Sequence, residues 1–275
     1  MSLLIINNDN FHFEIIESIV IHYNKILSIH KNEISTIILK IANNINFIEY
    51  LQNKYPFLII NKNIYFGIKY LINVSIYKKD YHLINKMANS FYISHEVDDE
   101  LKKYSNVFFT TPLCNTSKYM YFTELPFKNK KQNSEIPIFI IQGEFKRRNW
   151  NLLKKILERK YTIPYKIKIL GNGAIPITLK KLFMTYNDIV EIKQDLNFQD
   201  YHREFLDCYG IIPCISKTEN ASYYKNKLTS SINYGLAYDL WFLIDKDLQE
   251  IYNLKKSKIY TDNIDDIFEN FLKIF

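Results

Sequence analysis

The sequence is poor in the residues that usually announce an active site. Its three cysteines, Cys114, Cys208 and Cys214, form no CxxC pair and no metal-ligand spacing. That excludes a zinc ribbon or a dithiol redox centre, and an odd number of scattered thiols points to a reducing compartment. GxxxxGK[ST], GxSxG and HExxH are all missing, so kinase, serine-hydrolase and zinc-protease readings have no footing. No uninterrupted apolar run reaches the roughly 18 residues of a transmembrane helix. The opening "MSLLIINNDN" lacks the cationic start of a signal peptide and reads as a first β-strand. The expected location is therefore cytoplasmic, a host's cytoplasm included.

Arginine, alanine and glycine are also scarce, while Ile, Asn, Lys and Tyr dominate. This is the bias of AT-rich coding, so lysine or tyrosine abundance alone carries little functional weight. A content of 47% apolar and 24% charged residues is that of a globular chain. The net charge of +7 and pI near 9.0 allow an anionic partner, whether nucleotide, nucleic acid or membrane surface.

What is present is alternation. From residue 136 onward, "IPIFIIQG", "YKIKILG", "DIVEIKQD", "YGIIPCIS", "LAYDLWFLID" and "SKIYT" read as strands. Between them "NWNLLKKILERK", "ITLKKLFMTY", "NFQDYHREFLDC" (N-cap Asn197), "YYKNKLTSSINYG" (closed by Gly235) and "KDLQEIYN" read as helices, and "NIDDIFENFLKIF" ends the chain as another. The first half repeats the theme less regularly, from "LLIINN" through "FEIIESIVIHYNKIL" to "NVFFTTPL". Strands alternating with helices predict an α/β chain with parallel, doubly wound sheets. The polar, proline-bounded stretch "FKNKKQNSEIP", residues 127 to 137, is the linker candidate. The expected domains are 1–130 and 131–260, two Rossmann-like domains with parallel sheets facing a cleft, plus a helix in 261–275. Five of the six glycines lie in the second domain. Gly143, Gly171 and Gly173 fall at strand carboxyl ends, where open α/β sheets bind ligands. The second domain is thus the expected nucleotide-binding one.

The turn "QGEFKRRN" sets Lys146, Arg147 and Arg148 between a strand and a helix start. Cations there are unfavourable to the helix itself, whose N-terminus favours phosphate. A phosphate cradle and a solvated charge cluster both remain open readings. In "KLTSSINYG", Lys227 and the hydroxyls of Thr229, Ser230 and Ser231 near a helix start are further phosphate ligands, against an ordinary capped helix. "ILGNGAIP" supplies Gly171 and Gly173 as a base-bordering loop or a plain tight turn. Phe198 and Tyr201 in "FQDYH" lie near a helix start, where an aromatic stacks on a base or packs in the core. In the first domain, His12 and Glu14 of "NDNFHFE" and His95 and Asp98 of "SHEVDDE" are candidate bases for an acceptor hydroxyl, or structural loop residues. "LIDKD" places Asp245 and Asp247 in a DxD spacing, which a helix cap explains equally.

Together, "QGEFKRR", "ILGNG" and "KLTSSINYG" make the chain resemble the GT-B fold glycosyltransferases, specifically the retaining, nucleotide-sugar-dependent group. The family's pattern ends in K-x-x-E-x-x-x-x-G. Lys227 and Gly235 keep that spacing, and Ser230 stands where the glutamate that holds the donor ribose usually lies. The resemblance covers residues 136–253 and extends to the first domain by architecture. The Asn- and Ile-rich composition is similar to that of large DNA viruses, which encode such enzymes. The resemblance implies a metal-independent hexosyltransferase with no cofactor beyond its co-substrate, a UDP- or GDP-sugar, and a glycan, protein or other hydroxyl acceptor. Gly143, Lys146, Arg147, Arg148, Lys227, Thr229, Ser230 and Ser231 would hold the diphosphate. Gly171, Gly173 and Phe198 would border the nucleoside, and His12, Glu14 and His95 would serve the acceptor. The C-terminal helix would return to the first domain. A DNA-base glycosyltransferase and a non-catalytic nucleotide- or nucleic-acid-binding module of the same fold are the alternatives. Nucleic acid is not favoured, because no stripe of Arg with interleaved aromatics extends beyond the turn.

Overall fold

The structure, a computed structural model, describes residues 2–9, 12–29, 36–42, 44–62, 68–84, 89–123, 135–260 and 264–275. Residues 127–134 of the expected linker, and with them the 130/131 boundary, lie outside the described residues. The chain divides into two compact units, Met1–Pro126 with Asn226–Leu228, and Phe127–Lys225 with Thr229–Phe275. No helix among the described residues is long and apolar enough to cross a membrane.

The first unit's sheet is built from β1 (Ser2–Asn7), β2 (Thr36–Ile41), β3 (Leu58–Ile60), β4 (Ile68–Ile76), β5 (Ser90–Ser94) and β6 (Val107–Phe109), in the order β3-β2-β1-β4-β5-β6. Helices α1 (Phe13–Ile29) and α2 (Ile45–Lys54) follow β1 and β2, and α3 (Asp99–Lys102) joins β5 to β6. The second sheet comprises β7 (Ile138–Gln142), β8 (Lys166–Gly171), β9 (Val190–Gln194), β10 (Gly210–Ile211), β11 (Trp241–Asp245) and β12 (Ser257–Tyr260), ordered β12-β11-β10-β7-β8-β9. Its helices are α4 (Trp150–Leu157), α5 (Ile177–Thr185), α6 (Phe198–Arg203), α7 (Ser230–Ala237), α8 (Lys246–Tyr252) and α9 (Ile264–Leu272). Every strand pairing is parallel. Both units are therefore the doubly wound, Rossmann-like α/β type expected from the alternation.

The local causes are plain in the sequence. Phe139, Ile140 and Ile141 of β7 are wholly buried, as a central parallel strand covered on both faces requires. In α4, Leu152, Leu153, Ile156 and Leu157 are buried while Asn151, Lys154 and Lys155 are exposed, an i, i+3, i+4 stripe laid on the sheet. Asn149 caps that helix by accepting from the Asn151 and Leu152 amides at 3.1 and 3.3 Å. In each sheet the strand order reverses beside the first strand, between β1 and β4 and between β7 and β10. Ligand crevices of open α/β sheets lie at the carboxyl ends of such strands.

Two expectations are corrected here. The C-terminal helix, expected to return to the first domain, buries Phe268, Phe271 and Leu272 in the core of the second unit, against Phe139 of β7. An apolar stripe of this kind is held by the nearest open sheet face. The helix expected over 223–235 is broken. A 3-10 turn spans Ala221–Tyr224, residues 226–228 group with the first unit, and α7 begins only at Ser230. Thr229, with φ −82° and ψ 130°, is its N-cap. Gly235 is consequently inside α7, not at its end. A Cβ there would strike the Phe242 ring and come within 2.9 Å of Ile211 Cγ2, so its smallness lets α7 approach the sheet.

Candidate functional site

The turn after β7 shows which of its three cations faces inward. Lys146 Nζ and Arg147 Nε both pair with Glu144, at 2.7 and 2.6 Å, and lie on the exposed side. Lys146 first, with help from Arg147, holds the Glu144 carboxyl below its usual range. These two are not gathered around an open phosphate site, nor do they form a free basic patch. Arg148 is the reverse: only 7% exposed, with Nε donating to the Gln142 carbonyl at 2.8 Å, Nη2 donating to that same oxygen, and Tyr223 as a further partner. Burial pushes its guanidinium below the ordinary value. Among the described residues no carboxylate pairs with Arg148. Gly143, at φ +120°, completes the turn, since any Cβ would collide with the Arg148 guanidinium.

The residue that Arg148 grips from behind reaches forward with its side chain. Gln142, 2% exposed, places its amide Nε2 3.0 Å from Ser230 Oγ and 3.1 Å from Ser231 Oγ. Its Oε1 accepts from the Tyr201 hydroxyl of α6 at 2.6 Å. Ser230 and Ser231 open α7, and their own amide N–H groups have no intrahelical acceptor. The N-cap Thr229 is 1% exposed, caps nothing with its side chain, and leaves Oγ1 buried without a hydrogen-bond partner. Thr229, Ser230 and Ser231 thus lie together at the start of α7. Gln142 was missed, because it belongs to no phosphate-binding pattern in sequence.

Lys227 lies with the first unit, where it pairs with Glu96, while the Val97 amide donates to the Asn226 carbonyl at 2.7 Å. Gly171 serves packing: a Cβ would run into the Gly143 carbonyl oxygen and lie 2.5 Å from the Phe145 ring. Gly171→Ala is expected to cost about 2–3 kcal/mol by overpacking, read from urea unfolding of the second unit. Gly173, at φ +82° with open space around its Cβ direction, is a turn glycine. Gly173→Ala should cost only its backbone strain, about 1 kcal/mol. Phe198, partly buried, sits 4.3 Å from the His202 ring at the rim of an aromatic cluster with Tyr201, Phe205, Tyr234 and Tyr238.

In the first unit, His12 and His95 stack face to face, with centroids 3.4 Å apart and planes 4° from parallel. His12 has φ 65°, a left-handed backbone held at the carboxyl end of β1, and its Nδ1 is 3.7 Å from Glu14 Oε1. His95 Nε2 is 2.9 Å from the Val74 carbonyl, which can only accept. The neutral ring is therefore protonated on Nε2 and keeps the Nδ1 lone pair. Burial, then the neighbouring His12, push the His95 pKa well below 6.5 against the opposing Val74 bond. The unfolded chain takes up a proton near pH 6.5 that the folded unit refuses, so stability rises with pH across that window. The first unit should lose stability as pH falls below about 6.5, and the slope should flatten in His95→Gln, measured by urea unfolding at stepped pH. Asp98 caps α3 by accepting from the Glu100 amide at 2.9 Å.

The DxD pair is fully engaged. Asp245 caps α8 by accepting from the Leu248 amide at 3.1 Å and takes the Tyr224 hydroxyl at 2.7 Å, while Asp247 pairs with Lys217 at 2.6 Å. Among the described residues no group of three His, Cys, Asp or Glu is placed to hold a metal ion.

No protein-family model matches the sequence, and no curated protein sequence does. Solved structures do match by fold. AviGT4, a glycosyltransferase involved in avilamycin A biosynthesis, superposes with a TM-score of 0.60 at 8% identity, over 99% of this chain and 88% of that one. A putative UDP-N-acetylglucosamine 2-epimerase from Listeria monocytogenes does so with a TM-score of 0.53 at 8% identity, over 100% and 87%. At such identities the likeness speaks for the fold alone, and the fold it shows is that of the GT-B glycosyltransferases, with two Rossmann-like domains.

Proposed function

We propose that the chain is a glycosyltransferase that moves a sugar from a UDP- or GDP-sugar to a hydroxyl of a glycan, protein or other acceptor, without a metal. The observation that carries this reading is Arg148: a buried guanidinium that makes no direct ion pair among the described residues and has only the field of Glu144 beside it, seated on Gln142, whose side chain reaches the first turn of α7. A buried cation without a directly paired carboxylate is only partly compensated, which is costly. An anion at the α7 N-terminus would offset it, and the helix dipole and first-turn amides favour that same anion. A diphosphate is the anion that both GT-B chemistry and a UDP-sugar epimerase neighbour bring into view.

In the transfer, a bond forms from the acceptor oxygen to the anomeric carbon as the bond from that carbon to the diphosphate breaks. The diphosphate leaves with the electron pair. Its growing charge is met by the Ser230 and Ser231 donors and by the field of Arg148. The acceptor proton goes to a base, for which the His95 Nδ1 lone pair in the first unit is the candidate, with His12 and Glu14 beside it. Retention of the anomeric configuration, which the sequence resemblance implies, is read from the product's anomeric coupling by NMR. The three buried free thiols fit a reducing, cytoplasmic site of action.

A thermal-shift panel of UDP, GDP, ADP and TDP with their common sugars tests the reading. At a hundredfold excess over Kd, a true ligand stabilises by about 2.7 kcal/mol, a shift of several degrees. A panel in which no nucleotide raises the melting temperature sinks the proposal. Binding followed by conversion of the nucleotide sugar to its epimer, with none transferred, would move the chain to the other neighbour's chemistry.

A further inference from the structure

We infer that Gln142 orients the Ser230 and Ser231 hydroxyls of the α7 site as donors, suited to the acceptor-only oxygens of a phosphate. This rests on the diphosphate reading above.

The distances fix the orientation of the amide. The 2.6 Å contact to Tyr201 is of O–H···O length, and those of 3.0 and 3.1 Å to Ser230 and Ser231 are of N–H···O length. Oε1 therefore faces Tyr201, and the two amide hydrogens face the two serines. An amide nitrogen has two hydrogens, and both are used. Each serine oxygen consequently accepts from Gln142, and its own proton is left to donate elsewhere. Those two hydroxyls stand beside the first-turn N–H groups of α7, so each has a proton to add to those that the amides give. With the amide turned over, the serine protons would point inward to Oε1, and lone pairs would face the ligand instead. The 2.6 Å Tyr201 contact, of O–H···O length, is the bond that the first state makes and the turned one loses.

Gln142 touches no ligand in this scheme; it acts through the serines, as a positioning residue. Three variants test it by calorimetric titration with inorganic pyrophosphate, with the best nucleoside diphosphate of the panel, and with the matching uncharged nucleoside. Gln142→Met removes both amide donors while keeping the volume. It should weaken diphosphate binding on the order of tenfold, the worth of hydrogen bonds to a charged group. Gln142→Glu reverses the polarity and adds a negative charge, and its loss should be roughly tenfold greater again. Tyr201→Phe frees the amide to turn and should cost about threefold. Nucleoside affinity should stay constant throughout, which a merely structural role would not ensure.

Gln142→Glu binding pyrophosphate within twofold of the parent, or Met and Glu losing equally, overturns the inference while leaving the diphosphate site intact. A parent chain that binds neither pyrophosphate nor any nucleoside diphosphate overturns the functional reading itself. Should the Gln142 variants fail to fold, Tyr201→Phe carries the test, and unchanged diphosphate affinity in it overturns the inference.

Discussion

Arg148→Met should shift the melting temperature of the free protein by no more than several degrees, in either direction, and abolish the rise that a nucleoside diphosphate causes. Two effects of opposite sign meet in the free protein. Removing the guanidinium orphans the Gln142 carbonyl, which accepts from both Nε and Nη2, at a cost of about 1–3 kcal/mol. It also removes a buried cation that has no directly paired carboxylate among the described residues and feels Glu144 only through its field, and methionine fills a similar volume; that relief is of comparable size. The net change should fall within about 2 kcal/mol. In the complex nothing cancels. A charge acting through a partly buried site contributes about 2 kcal/mol per unit of ligand charge, so diphosphate affinity should drop by a factor on the order of a hundred or more. Arg148→Lys keeps the charge but not the two-pronged grip on one carbonyl, and should recover part of the affinity with a lower melting temperature. Calorimetry on the three proteins decides the matter, and an Arg148→Met protein that binds like the parent refutes the role assigned to the charge.

The largest loss of stability should come from the far end of the chain. Phe268 is wholly buried in α9, with ring centroids 5.6, 5.0 and 5.1 Å from Phe139, Tyr161 and Tyr165. Phe268→Ala opens a cavity against the central strand of the second sheet and should cost about 3–5 kcal/mol. For a unit of this size that lowers the melting temperature by roughly 10 °C. The loss should appear as earlier cooperative unfolding of the whole second unit, seen by hydrogen exchange in β7 and β8 together. If only α9 loses protection, the helix is an appendage and not a part of the core.

The sequence was most legible where one physical rule acts alone. Alternating apolar strands and amphipathic helices are set by burial, so the two doubly wound sheets could be read from periodicity. The Asn197 cap was readable for the same reason, since a side chain accepting from the amide three residues on is local; the Asp200 N–H lies 2.9 Å away. What escaped depends on partners far apart in the chain. Lys146, Arg147 and Arg148 are adjacent cations, and only Glu144 on one side and the Gln142 carbonyl on the other separate two surface residues from a buried one. Gly235 has the spacing of a helix terminator, yet it is the ring of Phe242 that requires it. Glu17 looks like the solvent face of α1 but is buried, its Oε1 taking the hydroxyls of Tyr50 and Tyr55 at 2.5 and 3.0 Å, and burial raises its carboxyl pKa. A one-dimensional pattern cannot carry these pairings, because each is made by the fold it helps to hold.

Residues 226–228 belong to the first unit although about a hundred residues of the second precede them. During synthesis, the unit that leaves the ribosome first therefore waits for the last fifth of the chain before its Val97 amide finds the Asn226 carbonyl. A chain stopped at the end of the first domain would present that edge unfinished to chaperones and proteases. Any attempt to produce the first domain alone should carry a graft of this tripeptide, or accept a frayed edge where Glu96 has lost its lysine.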